Sequence, residues 1–448
     1  MKIPVQEAPA FLVEEVRRRG AGDAEAFLEV ARETKLQVSR GQVEELTHAE
    51  QAGVGLRILL NGATGFSYAA DFDRASLEAL VDRALGAARI ATPDEYAALP
   101  EVSPAAGVTG LWDPVLAALD VEDKIRFALE QEQSCLDQDP RVNSVILCRY
   151  EDAVTRTRIV NSRGLDSEYT DTACGAFAIC TARGEGKGTM GVGQAQERFF
   201  RAVEGRAIGR QAARKALIAL EGMPPPTEVL TVVFEPEAAF SFLAAVVSAL
   251  SAERAQLGQS MFAGRLGQAV AAPGVDLIDD GLLPGRPGTL PVDGEGVPRR
   301  RTTLIAGGVL RSFFHNVRSA RKDGVVSTGN ARRSGYRALP QLAPSNAFMV
   351  PGTASPGELV RAVERGVHVV AFTDTGGVSG LSGDFSVAAS GRRITRGELA
   401  ECLDPFTIGG NLQAMLQQIS GVGNDLTWVG SLGSPTIRIE GLTMAGKS

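Results

Sequence analysis

The run GGVSGLSGDFSVAASG, residues 376–391, decides how the C-terminal half of this chain folds. It contains five glycines and four serines, follows the apolar run VHVVAFTDT, and holds one carboxylate, Asp384. Glycine is favoured where the backbone has a positive φ or approaches a neighbour closely. Ser379, Ser382 and Ser386 lie in no GxSxG elbow, and a serine nucleophile would also need a base. We predict a tight connection between two strands, with Asp384 pinning the turn through hydrogen bonds.

Around this run, short strand-like segments recur between turns as far as TWVGSLGSPTIRIEGLTMAG at the end of the chain. The segment GMPPPTE, at residues 222–228, interrupts any regular element because proline cannot continue a helix or a central strand. We therefore predict a C-terminal domain over residues 223–448. The pattern is typical of a glycine-rich, mostly antiparallel β domain with a few helices.

The first hundred residues alternate helical and strand-like patterns. VGLRILLNGATGFSYAA predicts two strands joined at Asn61-Gly62, and a second strand pair is predicted around Arg40 and Gly41. ASLEALVDRALGAARIA predicts an amphipathic helix. We predict an N-terminal α/β sandwich over residues 1–100.

The segment from residue 101 to residue 222 predicts a middle domain. The run VEDKIRFALEQEQSCLD reads as a helix, and strand-like runs follow it on either side of a turn at residues 161–164. A long amphipathic helix is predicted from about Gln196 to Leu220. These elements favour an antiparallel sheet with helices, and the fold class predicted for the whole chain is α+β.

Composition excludes several classes of protein. A formal net charge of −7 gives no general reason to expect nucleic acid or an anionic membrane as partner. No segment approaches the roughly 18 apolar residues that a membrane span needs, so we expect a cytoplasmic protein. The five cysteines form no CxxC pair, which favours free, mostly buried thiols.

One glycine-rich motif, GKGTMG at residues 186–191, matches the GxGxxG pattern of dinucleotide sites. Such a site also needs a second strand ending in an acid about 20 residues further on. Here the next strand's acid, Glu235, follows a long helix and three prolines. A glycine-rich hairpin or loop is the favoured interpretation, and no GxxxxGK[ST] phosphate loop is present.

Histidines are too few and too scattered to predict a metal centre or a triad. His48, His315 and His368 lie in separate segments, without HExxH and without a Cys/His cluster. His368 reads as a core or edge-strand side chain. His315, among polar groups, is the best candidate for chemistry of the three, while sites built from carboxylates alone cannot be selected by spacing.

Residues 299–337 hold ten Lys or Arg against one Asp. One interpretation is a solvated face with scattered ion pairs. The other is a surface or cavity wall that attracts acidic segments of a peptide or partner. Nucleic acid phosphates are a weaker version of the second interpretation, since few aromatic residues interleave the segment.

Four separated motifs together resemble the TldD/PmbA family, once called modulators of DNA gyrase. They are STGNARR at 327–333, GLSGDFSVAASG at 380–391, IGGNL at 408–412 and the closing GNDLTWVGSLGSPTIRIEGLTMAG. The resemblance spans nearly the whole chain, because the N-terminal unit, the middle unit and the proline-rich junction follow the family's order. It implies paired metallopeptidase subunits.

The family has two kinds of member, and the helix SFLAAVVSALSAE distinguishes them. In the TldD kind this helix carries HExxxH, which holds a metal together with a distant C-terminal cysteine; the partner, PmbA or TldE, lacks those ligands. The matching positions here are Ala244, Ala245 and Ala249. An alanine side chain can neither ligate a metal nor move a proton. This sequence therefore resembles the partner subunit, and its helix reads as buried, with Phe240 and Leu243 on the core face.

The resemblance implies a role and partners. We expect no metal in this chain, a metal such as zinc in a TldD-type partner, a peptide substrate, and a hetero- or homodimer. Nucleic acid and membrane are not expected. The alternative is a self-associating, non-catalytic peptide-binding or scaffold protein. By resemblance, a groove or peptide-binding surface would involve the residues of the glycine-rich motifs, namely Asn330, Arg332, Gly380, Gly383 and Asp384.

Overall fold

The computed structural model describes residues 2–184, 186–372 and 377–446, so Gly376 of the opening run lies outside the described residues. The N-terminal half is built on one large antiparallel sheet, and the C-terminal half combines a closed barrel with a second sheet. The predicted α+β class is confirmed. Within the described ranges, no helix is both long enough and apolar enough to cross a membrane.

Six strands form the first sheet, and they pair in the order β3-β2-β1-β4-β5-β6. They are β1 (Asp23–Ser39), β2 (Gln42–Leu60), β3 (Ala63–Ala69), β4 (Val142–Asn161), β5 (Asp166–Gly184) and β6 (Lys187–Glu197). Strand β1 pairs with β4 from Glu25↔Asn161 to Val38↔Cys148. The units predicted over 1–100 and 101–222 therefore share one sheet, and the boundary at residue 100 stays a prediction.

Both predicted tight hairpins are confirmed. Arg40 and Gly41 have φ of 53° and 71° between β1 and β2, and Asn61 and Gly62 have φ of 51° and 82° between β2 and β3. Two successive positive φ values suit the right-handed twist of the flanking strands. Asn61-Gly62 adopts this backbone readily, because glycine has no Cβ and asparagine tolerates the left-handed region.

Helices cover one face of the first sheet. They are α1 (Ala8–Arg18), α2 (Arg74–Ile90), α3 (Pro114–Ala118), α4 (Val121–Leu136) and α5 (Gly205–Leu220). Helix α1 packs mainly on β1 and helix α2 packs on β2 and β3, whereas α4 and α5 pack on β4 to β6. All five cysteines are free thiols, four of them buried and Cys402 half-buried.

The helix predicted from about Gln196 begins nine residues later than expected. Gln196 and Glu197 belong to β6, where they pair with Gly175 and Cys174. The polar run GQAQE has no strong strand pattern of its own, and cross-strand pairing overrides its local preference.

The motif GKGTMG forms part of the β5–β6 turn and the first half of β6. Gly186 has φ of 70° in the turn. At Gly191, a Cβ atom would lie 2.0 Å from the carbonyl oxygen of Ala212 and 2.5 Å from the backbone nitrogen of Ala216 in α5. This glycine lets the helix approach the sheet closely, which accounts for the motif without a nucleotide.

Replacing Gly191 with alanine is expected to lower the free energy of unfolding by about 1–3 kcal/mol, because the methyl group meets helix backbone that must shift. Gly188→Ala is the matched control, since a Cβ at Gly188 has nothing within 4 Å. Urea unfolding midpoints measure both. Equal midpoints for the two variants would contradict the close approach.

A closed barrel forms the base of the C-terminal half. Its strands are β7 (Glu228–Phe234), β14 (Arg365–Phe372), β15 (Asp384–Thr395), β16 (Glu398–Asn411) and β20 (Ile437–Ala445), with β17 (Ile419–Val422) paired to β20. The order is β16-β15-β14-β7-β20, and pairing of β16 with β20 closes the ring. Among the described residues of the barrel, only β7 and β14 run parallel.

The second sheet pairs in the order β10-β9-β8-β13-β19-β18. It contains β8 (Leu277–Asp280), β9 (Arg301–Ala306), β10 (Val309–Leu310), β13 (Ala347–Met349), β18 (Thr427–Val429) and β19 (Leu432–Ser434); β11 (Ala331–Arg332) and β12 (Gln341–Leu342) form a separate pair. The remaining helices are α6 (Pro236–Ala249), α7 (Ala252–Gln256), α8 (Val317–Asp323), α9 (Pro356–Arg361) and α10 (Leu412–Gln417). Helix α6 packs against strands of both the barrel and the second sheet.

Candidate functional site

Helix α6 carries three alanines at the positions that, by resemblance, hold the HExxxH residues in the TldD kind of member. Ala249 is 1 % exposed, and Ala244 and Ala245 are half-buried. Leu243 lies on the core face as predicted, whereas Phe240 is only half-buried and Phe242 is buried in its place. Phe242 packs against Phe234, Phe372 and Phe385 with ring centroids 4.7–5.2 Å apart, edge-to-face with the first two and tilted with the third.

The residues of α6 do not fit a metal. Alanine offers no ligand atom, and the neighbouring core side chains are aliphatic or aromatic. Over residues 2–184, 186–372 and 377–446, no group of three or more His, Cys, Asp or Glu could hold a metal ion.

The glycine-rich run connects β14 to β15. The backbone nitrogen of Ser379 donates to Asp384 O at 2.8 Å, and that of Gly383 donates to Ser379 O at 2.9 Å. Gly383 has φ of 81°, whereas Gly380 has an ordinary φ and is half-buried. The tight strand connection predicted from the sequence is confirmed for residues 377–391.

Asp384 holds this turn, partly in a different way from the one predicted. Its carboxylate accepts a hydrogen bond from Asn411 Nδ2 at 2.8 Å, while its backbone nitrogen donates to Ser382 Oγ at 3.2 Å. Hydrogen bonds from Asn411 and Ser382 lower the pKa of Asp384. Asn411 also caps α10, with Oδ1 accepting from the backbone nitrogen of Gln413 at 3.0 Å. The turn is thus tied to the start of α10.

Asn330 lies in a different part of the C-terminal half, inside a polar network, and is fully buried. Its Nδ2 donates to Asp279 Oδ2 at 2.6 Å and to Ala343 O at 3.2 Å, and its Oδ1 accepts from Thr328 Oγ1 at 2.5 Å. Burial raises the pKa of Asp279, although hydrogen bonds from Asn330 and Ser345 oppose that rise. Arg332, two residues on, is exposed.

Replacing Asn330 with alanine is expected to destabilise the protein by roughly 1–3 kcal/mol, because Thr328 and Asp279 lose a buried hydrogen-bond partner. Arg332→Ala, at an exposed neighbouring position, is expected to change the free energy of unfolding by less than about 0.5 kcal/mol. Chemical denaturation of both variants measures the difference. A destabilisation by Arg332→Ala equal to that by Asn330→Ala would contradict this assignment.

The basic segment 299–337 does not form one surface. Arg299 and Arg333 are directed inward. Arg299 is 5% exposed as a whole residue, and the side chain of Arg333 is 2% exposed. Arg318 instead pairs with Asp94, and Arg300 donates to the carbonyl of Ser327. Neither interpretation from the sequence describes the whole segment, since its charges divide between the interior and the surface.

In the part of the chain that the structure describes, the histidines form no catalytic pair with the serines of the glycine-rich run. His315 is 5 % exposed, and burial lowers its pKa. His368 lies on β14 with Nε2 3.7 Å from Glu235 Oε1, and burial followed by the charges of Arg214 and Arg392 lowers its pKa to about 4. His48 is exposed on β2, with Nδ1 3.2 Å from Thr34 Oγ1.

A buried ion network, absent from the sequence-based expectations, joins the two halves of the chain. Arg57 Nη2 lies 3.0 Å from Glu25 Oε2, and Arg57 Nη1 lies 3.0 Å from Glu295 Oε1. Arg333 contacts Glu25 as well, and Glu295 accepts from the backbone nitrogen of Val317 at 2.9 Å. An acid in an alternating strand reads as solvent-facing, so the sequence offers no signal for this network.

Arg198 forms a second contact between the halves and was also missed. Its guanidinium is 1 % exposed and lies 3.1 Å from Asp171 Oδ2. It also donates to the carbonyl oxygens of Leu111, Thr172, Arg286, Pro287 and Thr289 at 2.9–3.3 Å. Its role is to hold the first sheet against the C-terminal half.

Comparison with known proteins adds three family matches that together cover most of the chain. Residues 24–88 match PmbA/TldA metallopeptidase domain 1, residues 114–220 match the central domain, and residues 227–446 match the C-terminal domain. The predicted boundary near residue 222 falls between the second and third matches.

Individual relatives agree with these matches. The chain is 26% identical to a metalloprotease TldD homolog of Haemophilus influenzae, over 94% of this chain and 92% of that protein. A Thermotoga maritima structure named as a DNA gyrase modulator has a TM-score of 0.89 and 28% identity, covering 99% of this chain and 100% of the other. TldE of Thermococcus kodakarensis shares the fold, with a TM-score of 0.87 and 21% identity over 98% and 100% of the two chains.

Proposed function

Because this chain belongs to the TldD/PmbA metallopeptidase family, we propose that it is the non-metal subunit of a TldD/TldE-type complex that cleaves unfolded or extended peptides. The observation that carries the proposal is the set of alanines at positions 244, 245 and 249 of α6. They stand where the TldD kind of member carries its metal-binding and proton-transferring side chains. In this proposal the metal, such as zinc, is held by the partner subunit.

The contribution of this chain is to bind and enclose peptide rather than to cut it. We place the peptide-binding surface at the glycine-rich hairpin, with Gly380, Gly383 and Asp384, and at Arg332, the exposed basic residue of β11. Hydrogen bonds from Asn411 and along the hairpin backbone support this turn in a fixed conformation. A pre-ordered turn loses little conformational entropy when an extended peptide adds beside it as a strand.

Asn330 supports only the part of this proposed surface that holds Arg332, because it lies in a different part of the C-terminal half from the glycine-rich hairpin. Its hydrogen bonds to Asp279, Thr328 and Ala343 are all internal and leave its amide engaged with the protein. We therefore assign it a positioning role for the segment that ends at Arg332, and not direct contact with peptide.

Co-expression with a metal-bearing TldD-type subunit of the same genome tests the proposal. We expect a stable hetero-oligomer that cleaves an unfolded peptide, and loss of cleavage when the glutamate of the partner's HExxxH is changed to glutamine. Arg332→Ala and Asp384→Ala in this chain should raise the KM for peptide with little change in the metal content. Failure of the two chains to associate, with both chains folded, would remove the main support.

The same alanines leave room for one other function. A chain without metal ligands in α6 could bind peptides or act as a self-associating scaffold without any enzyme partner. Peptide binding that is equally tight with and without the TldD-type subunit, together with no cleavage by the mixture, would favour this second function.

A further inference from the structure

A groove lies where three segments that are distant in sequence meet. It has a volume of about 630 Å³. Its lining comes from the chain that leaves α2 (residues 99–103), the chain that enters β9 (297–300), and α8 with its following loop (317–327), together with Arg163 of the β4–β5 turn. The residues of the peptide-binding surface proposed above do not line it. The groove is therefore a separate site.

Much of the groove's lining is apolar. Leu99, Val297 and Val317 form its deeper part and are between 2 % and 8 % exposed. Val325 and Val326, in the loop after α8, are instead 50 % and 72 % exposed. Exposed apolar side chains beside an apolar recess are a common sign of a contact with another molecule, because their burial is favourable.

Two arginines of the basic segment also line the groove, and they come from different parts of it. Arg300 donates to the carbonyl oxygen of Ser327, and Arg321 Nη2 donates to the carbonyl oxygen of Glu95 at 3.5 Å. Neither guanidinium forms a salt bridge with a carboxylate of the described residues. Backbone carbonyls carry no net charge, so both positive charges remain available to an anionic group.

The other charges of the groove do not cancel these two. Arg163 is paired with Asp23, with Nη2 2.7 Å from Oδ2. The charge of Arg299 is offset by two nearby aspartates. Glu101, which is exposed, is the one acid among the described residues that line the groove. The groove is therefore positive as well as apolar, although the chain as a whole is acidic.

This combination of charge and apolar surface selects the chemistry of a ligand. An inorganic anion would leave the valines in contact with water, and a purely aliphatic ligand would leave the two arginines without a partner. A ligand that satisfies both carries carboxylates beside aliphatic groups. Because Arg300 and Arg321 stand on different segments, more than one carboxylate is favoured, which a peptide with spaced acids supplies and a fatty acid does not.

We propose that this groove binds an extended peptide segment in which acidic residues stand beside aliphatic ones. The carboxylates of the segment contact Arg300 and Arg321, and its aliphatic side chains cover Val325 and Val326 and enter the recess formed by Leu99. The inference goes beyond the proposed function and does not rest on it, because it concerns binding to the purified chain without a metal-bearing subunit.

Fluorescence anisotropy of the purified full-length protein tests the groove. The probe is a fluorescein-labelled peptide with two Glu-Leu pairs separated by glycine and serine. We expect saturable binding that weakens as the salt concentration rises, because the attraction is partly between exposed charges. A probe with glutamine in place of glutamate, and another with serine in place of leucine, should each bind at least about fivefold more weakly.

Three variants at exposed positions locate the binding. Arg321→Glu should raise the Kd of the probe at least about tenfold, because a repulsion replaces an attraction, and Val326→Ser should raise it roughly threefold. Glu101→Gln should lower the Kd about twofold or more, since it removes the acid that competes with the peptide; a merely structural role would not produce this gain. Arg89→Glu and Ile90→Ser, exposed on α2, are the matched controls and should bind as the wild type does.

Circular dichroism and melting temperature establish that each variant is folded. A wild-type protein that does not bind the Glu-Leu probe would overturn the proposal, and so would folded Arg321→Glu and Glu101→Gln proteins with unchanged Kd. Binding of octanoate in the absence of probe binding would assign the groove to a fatty acid instead. The proposed function fails on a different readout, namely association and cleavage with the metal-bearing subunit, so the two failures are distinguishable.

Discussion

Glu25→Gln is expected to lower the free energy of unfolding by about 3–5 kcal/mol, the range typical for removing one partner of a buried ion pair. The Glu25 carboxylate is 1 % exposed and faces two guanidiniums, those of Arg57 and Arg333. Glutamine keeps the size of the side chain but removes its charge. Two buried cations would then share the single carboxylate of Glu295 within this network.

The pKa of Arg57 reflects two opposing effects, burial and the charges of its carboxylate partners. Burial alone would lower it, but the charges of Glu25 and Glu295 raise it above its ordinary value. Arginine stays protonated in proteins even without such partners, so Arg57 cannot relieve the loss of Glu25 by giving up a proton. Arg333 is held in addition over the Phe27 ring, 4.9 Å from its centroid, which fixes it close to the missing charge.

Guanidinium chloride unfolding measures the effect, with Glu78→Gln as the matched control. Glu78 forms an exposed i, i+4 pair with Arg74 at 2.9 Å, and such pairs contribute at most about 0.5 kcal/mol. The double variant Glu25→Gln, Arg333→Met should be more stable than Glu25→Gln alone, because one of the uncompensated cations is gone. A loss of under about 1 kcal/mol in Glu25→Gln would contradict the role given to the network.

His368→Gln is expected to remove a pH dependence of stability between about pH 6.5 and pH 4. His368 in the folded protein has its pKa lowered from 6.5 to about 4, chiefly by burial. Between these values the unfolded chain binds a proton at this position and the folded chain does not. The wild type therefore loses stability as the pH falls through this window, by roughly 3 kcal/mol in total at 1.4 kcal/mol per pKa unit.

The charged groups facing His368 reinforce the effect of burial, which is the main reason why its neutral form is favoured. Arg214 of α5 and Arg392 of β15 add to the effect of burial. Glu235, with Oε1 3.7 Å from His368 Nε2, is itself engaged by Arg214. Burial also raises the pKa of Glu235, although Arg214 opposes this, so the carboxylate offers little compensation for an imidazolium.

Urea unfolding at several pH values between 4 and 7 compares the wild type with His368→Gln. The difference in unfolding free energy between the two proteins should shrink or reverse as the pH falls, because only the wild type has a histidine that titrates at position 368. His48→Gln, on the exposed part of β2, should follow the wild type. Parallel curves for the wild type and His368→Gln would show that His368 is not the group responsible.

The sequence predicts those parts of the fold that depend on local geometry. Asn61-Gly62 and Arg40-Gly41 mark hairpins because few residues adopt two successive positive φ values. The glycines and serines of the 377–391 run indicate a tight connection because such residues favour turns, and Gly383 has a φ of 81°. The alanines of α6 are read from the sequence itself, so the absence of metal-ligating atoms at these positions is known without the structure.

Other features depend on contacts between distant segments and have no local signature. Gln196 and Glu197 join β6 because β5 supplies their pairing partners. Phe242, and not Phe240, faces the core because Phe372 and Phe385 of the barrel strands pack against its ring. Glu25, Arg57, Glu295 and Arg333 look like surface charges in their own segments, and only the packing of the two halves buries them together.

The measurement that tests the central claim most directly is the metal content and peptide cleavage of this chain, of a TldD-type subunit, and of the two combined, each with and without a chelator. We predict that this chain alone binds no stoichiometric metal and does not cleave, whereas the combination cleaves in a chelator-sensitive way with the metal in the partner. One bound zinc and chelator-sensitive cleavage by this chain alone would contradict the assignment of a non-metal subunit.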